Sequence, residues 1–247
     1  MLEESVSIPT KFCGPAQSGN GGYTSGLLAD VIEGACEVTL RAPPPLAVPL
    51  TRVGVAQGGA ILKHGETLLA EAIPGAFELE LPEPVGFDEA ERASTRYVGY
   101  TNHPYPSCFV CSPTRPRGDG LAIHAGPVGD RRVVAGPWWA TRDLCSDGAI
   151  VDARFVWAAL DCPSWFGFST FADDVPPILL GRLAVTILRR PKLEERCVVM
   201  GWSSGREGRR IACGSQLLDA AGDCLAYSKS TWVILKQPEP PRSAGDR

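Results

Sequence analysis

Histidine is scarce in this chain, with three in 247 residues, at His64, His103 and His124. No Gly-x-Ser-x-Gly elbow accompanies them, so a Ser/His/Asp hydrolase finds no support. No run of about 18 apolar residues occurs that could cross a membrane. A charged-then-apolar leader with a cleavage site is also missing, and a cytoplasmic protein is expected. There is no basic stripe: 24 Lys and Arg are mixed evenly with 28 Asp and Glu, for a formal charge of −4. Neither nucleic acid nor an anionic membrane surface is therefore an expected partner. The nine cysteines are odd in number and irregular in spacing, which excludes a disulfide framework and predicts reduced, buried thiols.

What is present suffices for a globular core, since 44% of the residues are hydrophobic. Residues 1–9 carry little pattern, and 237–247 read as a disordered tail opened by Gln237-Pro238-Glu239-Pro240-Pro241. Between them, strands are predicted over Cys36–Arg41, Thr51–Ala60 and Thr67–Ile73, with a Pro-rich bend at 43–45. A helix is predicted over Ile150–Leu160, then strands over Leu183–Leu188, Cys197–Trp202, Ile211–Leu218 and Cys224–Leu235.

The segment from Gly19 to Asp30 joins a glycine-rich turn to an apolar helix that ends on a carboxylate. Gly21 and Gly22 leave backbone N–H groups bare at the positive end of a helix, which suits an oxyanion or a carbonyl. Asp30 is then a second catalytic group, aimed from its own helix or a partner's, or a solvated helix terminus.

The chain repeats itself. Val38-Thr39-Leu40 with Pro44 and Leu46 matches Val185-Thr186-Ile187 with Pro191 and Leu193 at identical spacing. Gly65-Glu66-Thr67-Leu68 matches Gly222-Asp223-Cys224-Leu225, and setting Asn20 on Val151 places Asp30 on Asp161 without a gap. A weak repeat of about 100 to 120 residues, each copy a helix followed by antiparallel strands, describes a fused dimer of one small domain. Each sheet then wraps its helix, with the two sheets joined edge to edge and the helices back to back.

The helix within an antiparallel sheet, its glycine-rich start, the acidic residue near its end, and the strands VTLRAPPPL and AVTILRRPKL together resemble the hotdog-fold acyl-CoA thioesterases. The resemblance covers about residues 10–80 and 118–236 and implies an α+β double hotdog. The expected domains are an N-terminal hotdog over 10–95, a linker over 96–117 and a C-terminal hotdog over 118–236. It further implies hydrolysis of an acyl-CoA or acyl-carrier thioester, without metal or other cofactor, by a unit that can associate further. Asn20-Gly21-Gly22 stands where many relatives have His-Gly-Gly. The amides of Gly22 and Tyr23 are accordingly expected as oxyanion donors, with Gly21 against the substrate and Asn20 orienting the carbonyl. Asparagine can hydrogen-bond an oxygen but cannot act as acid or base near neutral pH. Asp30 comes one residue later than in those relatives, a turn of about 100° on a helix. The second copy has lost the glycines, with Val151-Asp152-Ala153-Arg154 in their place, but it keeps Asp161 just before Pro163, which is expected to stop the helix. The implied site joins Gly21, Gly22 and Tyr23 to Asp161, or else to Asp30; a structural cap near the Pro turn is the alternative role for Asp161.

Other residues are weighed against this frame. Cys108 and Cys111 form a Cys-x-x-Cys beside His103, but a structural zinc needs a fourth ligand, Cys13 or Cys145, from elsewhere. The preferred reading is a linker turn with buried thiols and no metal. Arg115 and Arg117 could meet coenzyme A phosphates or be plain surface. Trp165 and Phe166, just past Pro163, could line an acyl pocket. A non-catalytic acyl or small-ligand binding double hotdog is the alternative function. A hydratase or dehydratase of the same fold is less favoured, because His64 and His124 sit beside turn glycines.

Overall fold

The alternation of apolar and polar residues that marks the strands is realised in a computed structural model of the chain, which describes residues 3–235. The tail expected over 237–247 lies outside the described residues. The strands are β1 (Glu3–Val6), β2 (Cys36–Leu40), β3 (Leu50–Gly54), β4 (Ala60–His64), β5 (Thr67–Pro74), β6 (Gly126–Pro127), β7 (Val133–Trp139), β8 (Ile178–Ile187), β9 (Arg196–Glu207), β10 (Arg210–Asp219) and β11 (Cys224–Ile234). They form one antiparallel sheet in the order β1-β3-β4-β5-β2-β8-β11-β10-β9-β7-β6. At its centre β2 pairs with β8, with Val38 opposite Leu183 and Cys36 opposite Val185. The two strands that carry the repeated Val-Thr motif are thus neighbours. Outward from this seam, β5, β4 and β3 on one side mirror β11, β10 and β9 on the other. The edge-to-edge join expected from the repeat is present.

Four helices pack on this sheet: α1 (Gly21–Ala29), α2 (Phe87–Ser94), α3 (Ala153–Ala159) and α4 (Cys162–Ser169). Helix α1 carries no charged residue and is buried from Gly22 to Ala29, as a helix apolar all round must be. It lies on β2, β4 and β5 and against α3. The approach to α3 depends on glycine. A Cβ on Gly22 would stand 2.7 Å from the Trp157 carbonyl oxygen, and one on Gly26 would stand 2.6 Å from Arg154 Cα. Spaced four apart, these glycines share one helix face.

The structure departs from the sequence reading in several places. Residues 1–9 are not all without pattern, because β1 pairs with β3 and Ile8 is buried. The single strand predicted over Thr51–Ala60 is two, since Gln57 and Gly58 turn the chain with φ of 61° and 75°. Helix α3 ends at Ala159, before Pro163, but Pro163 then occupies the first turn of a second helix, α4, where its missing N–H costs nothing. Strand β9 runs five residues past the predicted end at Trp202. Helix α2 was not foreseen; its buried Phe87, Ala90 and Ala93 pack with Val133, Val198, Met200 and Trp202 in a second cluster. Although it falls within the stretch assigned to the N-terminal copy, α2 therefore covers strands of the C-terminal half. Cys197 and Val199 join the main core instead, so β9 is buried on both faces.

Candidate active site

The start of α1 and the break between α3 and α4 meet at one carboxylate. Asn20 caps α1, and its Oδ1 accepts from the Tyr23 amide at 2.8 Å. Its Nδ2 donates to Asp161 Oδ2 at 2.9 Å. The Gly22 amide donates to the same oxygen, also at 2.9 Å. Of the residues expected at the helix start, Gly22 and Asn20 thus meet Asp161, while the Tyr23 amide turns to Asn20 and Gly21 lies beside Leu180 and Leu40. Asp30 is not part of it. It caps the far end of α1, exposed, with Arg154 Nη2 3.0 Å from its carboxylate.

Local sequence explains how Asp161 reaches this place. Pro163 removes one amide donor and helps separate α3 from α4, and Asp161 sits in the gap with φ −72° and ψ −81°. Serines hold the gap from behind: Ser215 Oγ donates to the Leu160 carbonyl at 2.5 Å. Ser164 Oγ accepts from Ser230 Oγ and from Trp232 Nε1, each at 2.9 Å. These supporting serines lie on β10, β11 and α4, and no spacing in the sequence marks them.

Asp161 is 2% exposed. Burial raises its carboxyl to about 7, against the opposing pull of the Gly22 amide and Asn20. Its Oδ1 is buried without a hydrogen-bond partner among the described residues. A carboxylate with one oxygen held and one free, titrating near neutrality, is equipped to take a proton from water.

Three thiols complete the surroundings. Cys108, Cys111 and Cys162 are buried with their sulfurs within 4.8 Å of one another, and Cys108 and Cys162 are 3.5 Å apart. Cys108 is the thiol pulled lowest, because Cys111 and Cys162 both hydrogen-bond to it. Neither Cys13 nor Cys145, the partners considered from sequence, joins the group; their sulfurs approach the Ser107 and Thr141 carbonyls instead. Cys162, 51 residues along from Cys111, carries no local signal that would have named it.

Several of the expected site residues already have partners or lie apart from Asp161. The Gly22 and Tyr23 amides, assigned as oxyanion donors, are already engaged by Asp161 and Asn20. The space the glycines leave is filled by α3 rather than open to a ligand; the four-residue spacing of Gly22 and Gly26 was the signal for this. Tyr23 stacks on Phe12 in the core. Gly21 is half-buried beside Leu180 and Leu40. Arg115 is a bracket between loops and not a free phosphate ligand, donating to the carbonyls of Ser107 and Lys11 and pairing with Asp119. Arg117 is exposed. Trp165 packs on Trp232 and Phe168, and Phe166 on Tyr97 and His103. Two surface hollows, of 350 and 180 Å³, lie elsewhere, and Asp161, Trp165 and Phe166 line neither.

No protein-family model and no curated protein sequence matches the chain. Solved structures do. A conserved protein of unknown function with a hotdog fold from Alicyclobacillus acidocaldarius superposes with a TM-score of 0.61 at 12% identity, covering 96% of this chain and 94% of its own. The fold is the hotdog fold. A candidate thioesterase II from Thermobifida fusca gives 0.62 at 12% identity, covering 96% and 93%. A tesB protein from Mycobacterium avium subsp. paratuberculosis gives 0.60 at 13% identity, covering 95% and 93%. The chain is similar over nearly its whole length to these three proteins, of which the Thermobifida one is described as a candidate thioesterase, and no helix among its described residues is long and apolar enough to cross a membrane.

Proposed function

We propose that the chain is a thioesterase-like hydrolase of the cytoplasm, a double hotdog divided at residues 96–117, which cleaves an acyl-CoA or acyl-carrier thioester with Asp161 as its base. The observation that carries this reading is the meeting of the Asp161 carboxylate, from one half of the repeat, with the Gly22 amide at the helix start of the other. The thioester carbonyl oxygen takes the place of Oδ2 at the start of α1, against the Gly22 amide and Asn20 Nδ2. Asp161 then accepts a proton from water as the water oxygen bonds to the carbonyl carbon, and the carbonyl electron pair moves to the held oxygen. When that intermediate collapses, the C–S bond breaks and the departing thiolate takes the proton back from Asp161. The likeness in fold to the Thermobifida and Mycobacterium proteins favours this reaction class.

A second reading, an acyl or small-ligand binding protein that has lost the chemistry, is favoured by a different observation. The Gly22 and Tyr23 amides are both occupied and Asp161 is 2% exposed. Turnover of a panel of acyl-CoA substrates decides between the two. Hydrolysis that falls about 10²- to 10⁴-fold in Asp161→Asn supports the hydrolase, as loss of a general base should. Ligand that copurifies and stays bound without turnover across the panel supports the binder.

A further inference from the structure

The three thiols beside the carboxylate are not used by the proposed hydrolysis. They come from two separate parts of the chain: Cys108 and Cys111 from an irregular segment between α2 and β6, Cys162 from the first position of α4. That segment is buried from Cys108 to Ser112 without the strand or helix that normally satisfies buried backbone. Its backbone bonds run to neighbouring loops instead: the Phe109 amide donates to the Cys13 carbonyl, and the Phe109 and Val110 carbonyls accept from the Leu121 and Ile123 amides.

We propose that Cys108, Cys111 and Cys162 bind one zinc-class divalent metal ion through their sulfurs, with a water in the fourth position that donates to Asp161 Oδ1. Sulfurs at about 2.3 Å from a tetrahedral ion stand about 3.8 Å from each other. The cluster is close to that spacing already, at 3.5 Å for Cys108 and Cys162 and within 4.8 Å for all pairs. Thiolates need donors around them, and Asn20 Nδ2 lies 4.0 Å from the sulfurs of both Cys108 and Cys162. The start of α4 supplies further positive potential at Cys162. A donor of this kind behind the ligands is the usual support of a metal site.

The orphaned carboxylate oxygen is the second, independent observation. Asp161 Oδ1 is buried without a partner, which costs free energy unless an ion or water completes it. The same Asn20 amide that reaches the two sulfurs bonds the other oxygen of this carboxylate. The sulfurs and the carboxylate therefore share one small volume. Three protein ligands and an exchangeable fourth is the donor count of sites that keep a position open. Among the described residues no other group of three or more His, Cys, Asp or Glu side chains converges in this way. The other six cysteines lie outside it.

The inference rests on the cluster and not on the hydrolase reading, so its test reads metal and not activity. The full chain, purified without chelator from zinc-supplemented cells, should carry about one zinc per chain by mass spectrometry of the elements. In Cys111→Ser and Cys162→Ser the content should fall below about a tenth, because thiolates dominate affinity at such a site. Cys213→Ser, which removes a buried thiol outside the cluster, should keep the full content. Because a ligand variant can fail to fold, the unaltered chain is also stripped and reloaded with cobalt(II), where sulfur-to-cobalt charge-transfer bands report thiolate ligation. A chain that is isolated without metal and develops no such bands overturns the proposal. So does a Cys108–Cys162 disulfide in metal-free chain purified without reductant, which would make the cluster a redox pair.

Discussion

Asp30 and Asp161 hold the same place in the internal repeat, yet one is exposed and ion-paired with Arg154 while the other is buried between two helices. The difference begins at the helix starts. The first copy has Gly22, with no Cβ to keep α3 away; the second has Val151, Asp152 and Ala153, and its helix breaks at Asp161 before Pro163. One copy thus keeps an unbroken helix with a bare start, and the other keeps a broken helix whose carboxylate fills that start.

The largest effect expected from breaking this comparison is on turnover. Asp161→Asn should lower acyl-CoA hydrolysis by about 10²- to 10⁴-fold. Asp30→Asn should leave it within about a factor of two, since Asp30 pairs with Arg154 at the far end of α1, away from Asp161. Equal losses in the two variants would remove the functional asymmetry.

Next is the close approach of the helices. Gly22→Val places atoms where Asp161 Cβ stands 2.6 Å and Ala158 Cα 2.9 Å from an added Cβ. Urea unfolding should show a loss of about 1–3 kcal/mol, the usual cost of overpacking. Gly75→Ala, with nothing within 4 Å of its added Cβ, should be close to neutral. A Gly22 variant as stable as the parent would mean that α1 and α3 do not touch there.

A more gradual effect is a slope in stability with pH. Folding raises the Asp161 carboxyl from 3.8 to about 7. Below 3.8 the group is protonated in both states. As pH rises from there, the unfolded chain releases its proton first, so stability falls by at most about 1.4 kcal/mol per pH unit and levels off above about 7. In metal-free chain, Asp161→Asn should flatten this part of the curve; an unchanged slope would place the titration elsewhere.

The smallest effect belongs to Asp30. Arg154→Gln removes a partly exposed ion pair and should cost under about 1 kcal/mol, less in high salt. A larger loss would make the exposed copy of the carboxylate a structural anchor after all.

Much of this arrangement is legible in the residues. Val38-Thr39-Leu40 and Val185-Thr186-Ile187 share a spacing, and their strands meet at the centre of the sheet. The gapless alignment of Asp30 with Asp161 made the two carboxylates equivalent in the repeat; that one copy's acid meets the other's helix start came only from the family resemblance. Helix α2 was missed although its buried positions are spaced three apart, since the acidic run around them reads equally well as a solvated surface. The occupied amides were missed for another reason. A glycine pair at a helix start shows that the backbone can be approached, not whether a ligand or another helix approaches it.

By itself, then, the sequence determined the order of elements, the repeat, and the residue types at each helix start, because periodicity and spacing along a chain are local properties. Only the tertiary structure decided which carboxylate is buried, which amides are taken, and that Cys162 stands beside Cys108 and Cys111. Apart from the Tyr23 amide, which Asn20 takes locally, those are relations between residues more than fifty apart. Burial and hydrogen bonding there depend on how α1, α3 and α4 pack, and close packing leaves no pattern in any one of the segments it brings together.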